Sequence, residues 1–171
     1  ECWLIQDAGH LYAAFVCRDP RPREIRAHLA DHDNIWNDDR CGILLDTFND
    51  GNRAFAFFVN PVGCCGDEII SKGGKKAWDA SWDAIWTGAG RIMEWGYTVE
   101  MAIPFHALQF DPGAADPTWG FTALRYYPRS LPYMLSSARI DTNENCYICQ
   151  FSKISGLAGT RPSKAAELDP T

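Results

Sequence analysis

The 171 residues are 46% apolar and 13% aromatic, enough to bury one hydrophobic core and too few for two. The net charge is −6 and the basic residues are scattered, which argues against a phosphate-tracking nucleic-acid surface. No stretch approaches the roughly 20 apolar residues of a membrane-spanning helix. Seven cysteines point to an oxidising compartment, and their odd number leaves at least one thiol outside any set of internal pairs.

The apolar run Cys2 to Ile5 reads as a strand already under way, so a signal peptide and one or two strands are expected before it. Asp7-Ala8-Gly9 turns it into a second strand, Leu11 to Cys17. Arg40 to Leu45 and Arg53 to Val59 form another predicted hairpin around Asn49-Asp50-Gly51-Asn52. Asp79 to Trp86 is expected to make a short helix that aligns Trp82 and Trp86 at i, i+4 spacing. The clearest alternation is Gly96 to Ile103, where Tyr97, Val99, Met101 and Ile103 share a face; Pro104 ends it and a helical turn to Leu108 follows. Trp119 to Tyr127 is the last strand, and from Gly156 onward the composition becomes that of a linker. Short strands without a long helix predict an all-β antiparallel sandwich over residues 1–156, with 157–171 as a C-terminal tail.

An ordered series of segments carries a family resemblance. L-Y-A-A-F at Leu11 to Phe15 is followed by W-N-D-D at Trp36 to Asp39 and L-D-T-F-N-D at Leu45 to Asp50. F-F-V-N-P-V-G at Phe57 to Gly63, G-Y-T-V-E-M-A-I-P-F at Gly96 to Phe105 and W-G-F at Trp119 to Phe121 continue it. The series resembles the family 9 carbohydrate-binding modules, a fold class that also includes the DOMON domains. C-Y-I-C-Q-F-S-K-I-S-G-L at Cys146 to Leu157 is similar to the version that precedes an outer-membrane β-barrel in bacterial envelope proteins. The resemblance implies a non-catalytic glycan-binding module, secreted, periplasmic or associated with the outer membrane, with a β-barrel of the same chain as a further partner. The alternatives it leaves are a structural cap for such a barrel and a redox module holding metal or haem.

Particular residues could serve these roles. Asp38, Asp39, Asp46 and Asp50 are hard oxygen ligands of the kind calcium takes, and family 9 modules are known for structural calcium; the same residues could equally start a strand and make a turn. Flat aromatic rings stack on the apolar faces of sugars. Of the seven tryptophans, Trp36 and Trp95 have polar or glycine neighbours and are the candidate platforms, while Trp82, Trp86 and Trp119 fit a core as well. Arg125 and Arg129, beside Tyr126 and Tyr127, could line a polar pocket or a solvated edge. Cys64-Cys65 and Cys146-x-x-Cys149 are raw material for disulfides or for a zinc or iron–sulfur centre, whereas Cys17 and Cys41 read as small buried hydrophobes. His28 and His32, like His10 and His106, read as surface residues. No nucleophile elbow or zinc-protease motif is present, and Gly73-Gly74-Lys75-Lys76 lacks the spaced glycine of a phosphate loop.

Overall fold

A computed structural model describes residues 1–72, 78–111 and 113–160. Its strands are β1 (Cys2–Gln6), β2 (His10–Arg18), β3 (Arg40–Asp46), β4 (Arg53–Val59), β5 (Cys65–Ser71) and β6 (Trp78–Asp79). They continue with β7 (Thr87–Met93), β8 (Gly96–Pro104), β9 (Trp119–Tyr127), β10 (Tyr133–Ser136) and β11 (Ser152–Ile154). All pairs are antiparallel. One sheet runs β1-β2-β8-β7; the larger runs β10-β9-β3-β4-β5-β6, with β11 also pairing β9.

Period-two alternation decides which face each strand buries. In the smaller sheet Leu11, Ala13, Phe15 and Cys17 of β2 and Tyr97, Val99, Met101 and Ile103 of β8 point inward. Cys41, Ile43 and Leu45 of β3 and Phe55, Phe57 and Val59 of β4 meet them from the larger sheet. Each large side chain buried there contributes roughly 1.5–3 kcal/mol.

The larger sheet is covered on its other face too. Leu44, Ala54, Ala56, Ile70 and Leu124 form a second core beneath Ile35, Ile148 and Phe151, which arrive on the 25–39 segment and the stretch before β11. Burial on both faces explains why β3 and β4 read as continuous apolar runs rather than alternating ones.

All six predicted strands and both predicted hairpins are present, as is the turn after Pro104, a 3-10 turn at Phe105–Ala107. The helix expected over Asp79 to Trp86 is absent: the segment pairs briefly as β6, turns, and continues extended. Trp82 and Trp86 nonetheless both pack on Phe57, because the open edge of the core, not helical spacing, draws them together. At the start of the expected tail, Leu157 is buried in the main core and the Gly156 carbonyl accepts from Gln6. Gly73-Gly74-Lys75-Lys76 and the tail from residue 161 lie outside the described residues.

Candidate functional site

The outer face of the larger sheet is left uncovered at one end, where it forms a groove of about 350 Å³. Its floor follows from register. Arg40 of β3 lies opposite Tyr126 of β9, Tyr126 opposite Met134 of β10, and Phe58 of β4 opposite Gly42 of β3. Glu68 of β5 and Trp78 of β6 continue the same face, and Trp36 closes it from the loop before β3.

Two glycines let the aromatic rings approach the strands closely. A Cβ on Gly42 would sit 2.3 Å from Phe58 Cδ1, and one on Gly66 would sit 3.2 Å from Trp36 Cη2. The result is a row of rings: Trp36 meets Phe58 edge-on at 5.8 Å between centroids, and Trp78 lies tilted 6.4 Å from Phe58 on the other side. Phe58 is buried while Trp78 is 37% exposed, so one ring forms the floor and the other a rim.

Two charges sit among these rings. The Arg40 guanidinium lies 4.1 Å over the Tyr126 ring and 5.4 Å from that of Trp36, and it donates to the Trp36 carbonyl. Its Nε is buried with no partner among the described residues, and burial lowers the guanidinium's pKa below the usual arginine value. Burial pushes the Glu68 carboxyl up to about 7, against the opposing pull of Arg40 and with the repulsion of Asp33 and Asp67 added. The groove therefore offers stacking surfaces, a cationic donor and a carboxyl that titrates near neutrality.

Comparison of folds bears on this arrangement. The chain superposes on a candidate carbohydrate-binding protein from Bacteroides uniformis with a TM-score of 0.66 at 14% identity, over 90% of this chain and 76% of that one. It superposes on a family 9 carbohydrate-binding module from Caldicellulosiruptor kristjanssonii in complex with glucose with a TM-score of 0.56 at 16% identity, over 99% and 79% of the two chains. The same module in complex with cellotriose gives 0.52 at 16% identity, over 98% and 78%. The chain has the fold of the family 9 carbohydrate-binding modules. No family model and no curated protein matches the sequence.

On this family 9 fold, Trp36 alone of the sequence-predicted ligand residues lines the groove. Trp95 lies in the β7–β8 turn of the other sheet, under Arg18 at 5.2 Å. Arg125 points inward, opposite in parity to Tyr126; it stacks 4.0 Å over Tyr127 and donates to the Arg18 carbonyl and to Asp19. Arg129 is 8% exposed and joins Asp19 and Asp39, at 2.9 and 2.7 Å. Both arginines pin the 18–26 segment to β9 and to the strand-leading Asp39, which takes them out of the groove.

The four predicted metal carboxylates do not converge. Asp38 and Asp39 precede β3, Asp46 is its last residue and Asp50 follows it, which puts the two pairs roughly 20 Å apart at strand rise. Each is also occupied by hydrogen-bond donors. Asp38 accepts from the His28 N–H and Asn60 and pairs with the His28 ring; Asp39 accepts from the Arg26 N–H and Arg129. Asp46 accepts from the Gly51 N–H, and Asp50 from the N–H and side chain of Asn52. As one shared calcium cage the set does not fit.

The four-thiol centre fails for the same reason of distance. Cys146 and Cys149 are joined in a disulfide beside the β3–β4 turn. Cys64 and Cys65 are free at the opposite end of β4, where the Ala30 N–H approaches the Cys64 sulfur. Among the described residues the set close enough to share one ion is instead His32, Asp33 and Asp67. There His32 Nε2 lies 2.8 Å from Asp67, which also accepts from Trp86 Nε1 at 2.7 Å.

Sequence reasoning missed Arg40, Phe58, Glu68 and Trp78. The available signal was Glu68 itself, an acid in a strand between apolar Ile69 and Ile70 and the glycine Gly66 two positions before it.

Proposed function

We propose that this domain is a non-catalytic carbohydrate-binding module whose glycan lies in the groove of Trp36, Phe58 and Trp78. The observation that carries this reading is the ring row flanked by Arg40 and Glu68: rings take the apolar face of a pyranose while a guanidinium and a carboxyl hold its hydroxyls. The fold neighbours support it, because two of them are complexes with glucose and cellotriose. Among the described residues Glu68 is the one carboxyl lining the groove, whereas glycosidic hydrolysis ordinarily uses a pair, and this favours binding over catalysis.

The Cys146–Cys149 disulfide supports a site of action outside the cytoplasm, in keeping with a secreted or envelope protein. A second reading, that the domain caps an outer-membrane β-barrel, is favoured by the exposed apolar edge at Leu131, Tyr133, Met134 and Leu135, which a neighbouring domain could cover.

Isothermal titration with soluble gluco-oligosaccharides tests the first reading. Saturable binding that falls at least tenfold in Trp36→Ala and in Trp78→Ala, with Trp95→Ala unchanged, is the expected result. Saturable binding untouched by both substitutions, or a glycan array without a saturable hit, would overturn it.

A further inference from the structure

Cys17 and Cys41 hang from facing sheets, Cys17 from the inner face of β2 and Cys41 from that of β3. Both are buried, and their sulfurs lie 3.0 Å apart, closer than two thiols in ordinary contact sit. Nothing in the proposed sugar groove uses them. The two sulfurs already occupy the space between the sheets that a bond would span.

Their surroundings divide the labour between them. The Cys17 sulfur shares a hydrogen bond with that of Cys41 and lies near the Arg125 guanidinium, and both, against the opposing effect of burial, lower its pKa below that of an ordinary thiol. Burial holds Cys41 well above that value, and its sulfur also lies 3.3 Å from Tyr97 Oη. Access comes from a cleft of about 270 Å³ between the edges of the two sheets, lined by Cys17, Phe15, Arg125 and Ser137. Cys2 lines the same cleft, but burial pushes its thiol up to about 11, so it is protonated when Cys17 is reactive.

We propose that Cys17 and Cys41 are a covalent modification site, a dithiol that reacts with small disulfides of the glutathione class to form a bond between the two sheets. In the first step the Cys17 thiolate attacks one sulfur of the small disulfide; a mixed disulfide forms and one small thiolate leaves. In the second, Cys41 loses its proton and attacks the Cys17 sulfur, forming the Cys17–Cys41 bond and releasing the second small thiolate. The two protein thiols lose two electrons, the small disulfide gains them, and the two protons end on the released thiols. The bond closes a loop between residues 24 positions apart and fixes β2 against β3.

The experiment starts from the fully reduced chain, treated with hydroxyethyl disulfide, unfolded, alkylated with iodoacetamide and cleaved with trypsin without reductant. Cleavage after Arg18, Arg40 and Arg53 releases residues 1–18 and 41–53 as separate peptides unless a disulfide joins them. The expected result is the joined pair in the wild type and in Cys2→Ser, and its loss in Cys17→Ala. In a Cys146→Ser, Cys149→Ser background oxidation should also raise Tm by about 10 °C. Alkylated Cys17 and Cys41 after oxidation of the wild type, or a link that vanishes in Cys2→Ser, would overturn the proposal whether or not Cys17→Ala folds.

Discussion

Gly42→Ala isolates the packing that builds the groove floor. The added Cβ would stand 2.3 Å from Phe58 Cδ1 and 2.5 Å from the Phe57 carbonyl oxygen. The Phe58 ring can rotate away only by leaving its place between Trp36 and Trp78, and the Phe57 oxygen belongs to the β3–β4 ladder and cannot move without breaking it. Overpacking of a buried position costs about 1–3 kcal/mol, and with one contact to fixed backbone the upper end applies, about 3 kcal/mol. For a domain of this size that lowers Tm by about 6–12 °C. The assay is a thermal melt by circular dichroism of wild type, Gly42→Ala, Phe58→Leu and the double variant. Because truncating Phe58 relieves only the side-chain contact, the double variant should stay below Phe58→Leu by several degrees. If Gly42→Ala melts within 1 °C of wild type, as an ordinary surface change would, the register that places Gly42 under Phe58 is wrong.

Further outcomes follow from the charges. The Glu68 carboxyl is raised from 4.5 to about 7, so between these values the folded state holds its proton more tightly than the unfolded chain. Stability therefore falls as pH rises through that window; for this partly buried group, remaining solvent screening leaves a loss of about 1 kcal/mol. Asp67 is raised as well and contributes with the same sign, so the quantity to read is the difference in melting temperature between wild type and Glu68→Gln from pH 4.5 to 8, which should narrow the slope. Arg129→Ala leaves the buried Asp39 without a cation and Asp19 with Arg125 alone, and should cost about 3–5 kcal/mol in a denaturant melt, without altering sugar affinity where the protein remains folded. Asp67→Ala leaves the Trp86 indole N–H without its acceptor and should quench or shift tryptophan fluorescence while lowering Tm.

The sandwich was legible because period-two alternation in β2 and β8 needs no partner to be seen. The short strands β6, β10 and β11 were not, since two to four residues carry no pattern, and β11 moreover pairs with the distant β9. Trp36 could be picked out by its polar flanks, but the groove it enters is a product of register: Arg40, Phe58, Glu68 and Tyr126 come from four strands and meet only when the sheet is assembled. Arg125 and Tyr126 show the limit well, because adjacent residues in a strand face opposite ways and a one-residue difference separates the core side from the groove side. The acidic residues misled for a similar reason. Asp38-Asp39 and Asp46-Asp50 look clustered in sequence, yet the extended strand β3 holds them apart, the first pair tying down the backbone of Arg26 and His28 and the second capping the turn after β3.

Sugar binding in this groove is tested most directly by a proton–nitrogen correlation spectrum of the indole N–H groups during titration with cellotriose. The seven tryptophans supply seven indole probes in one spectrum. The signals of Trp36 and Trp78 should shift progressively and saturate together, while those of Trp119 and Trp82 in the core and Trp95 in the far turn stay in place. Saturable shifts at Trp95 or Trp3 with Trp36 and Trp78 unmoved would contradict it and put the sugar on the other sheet.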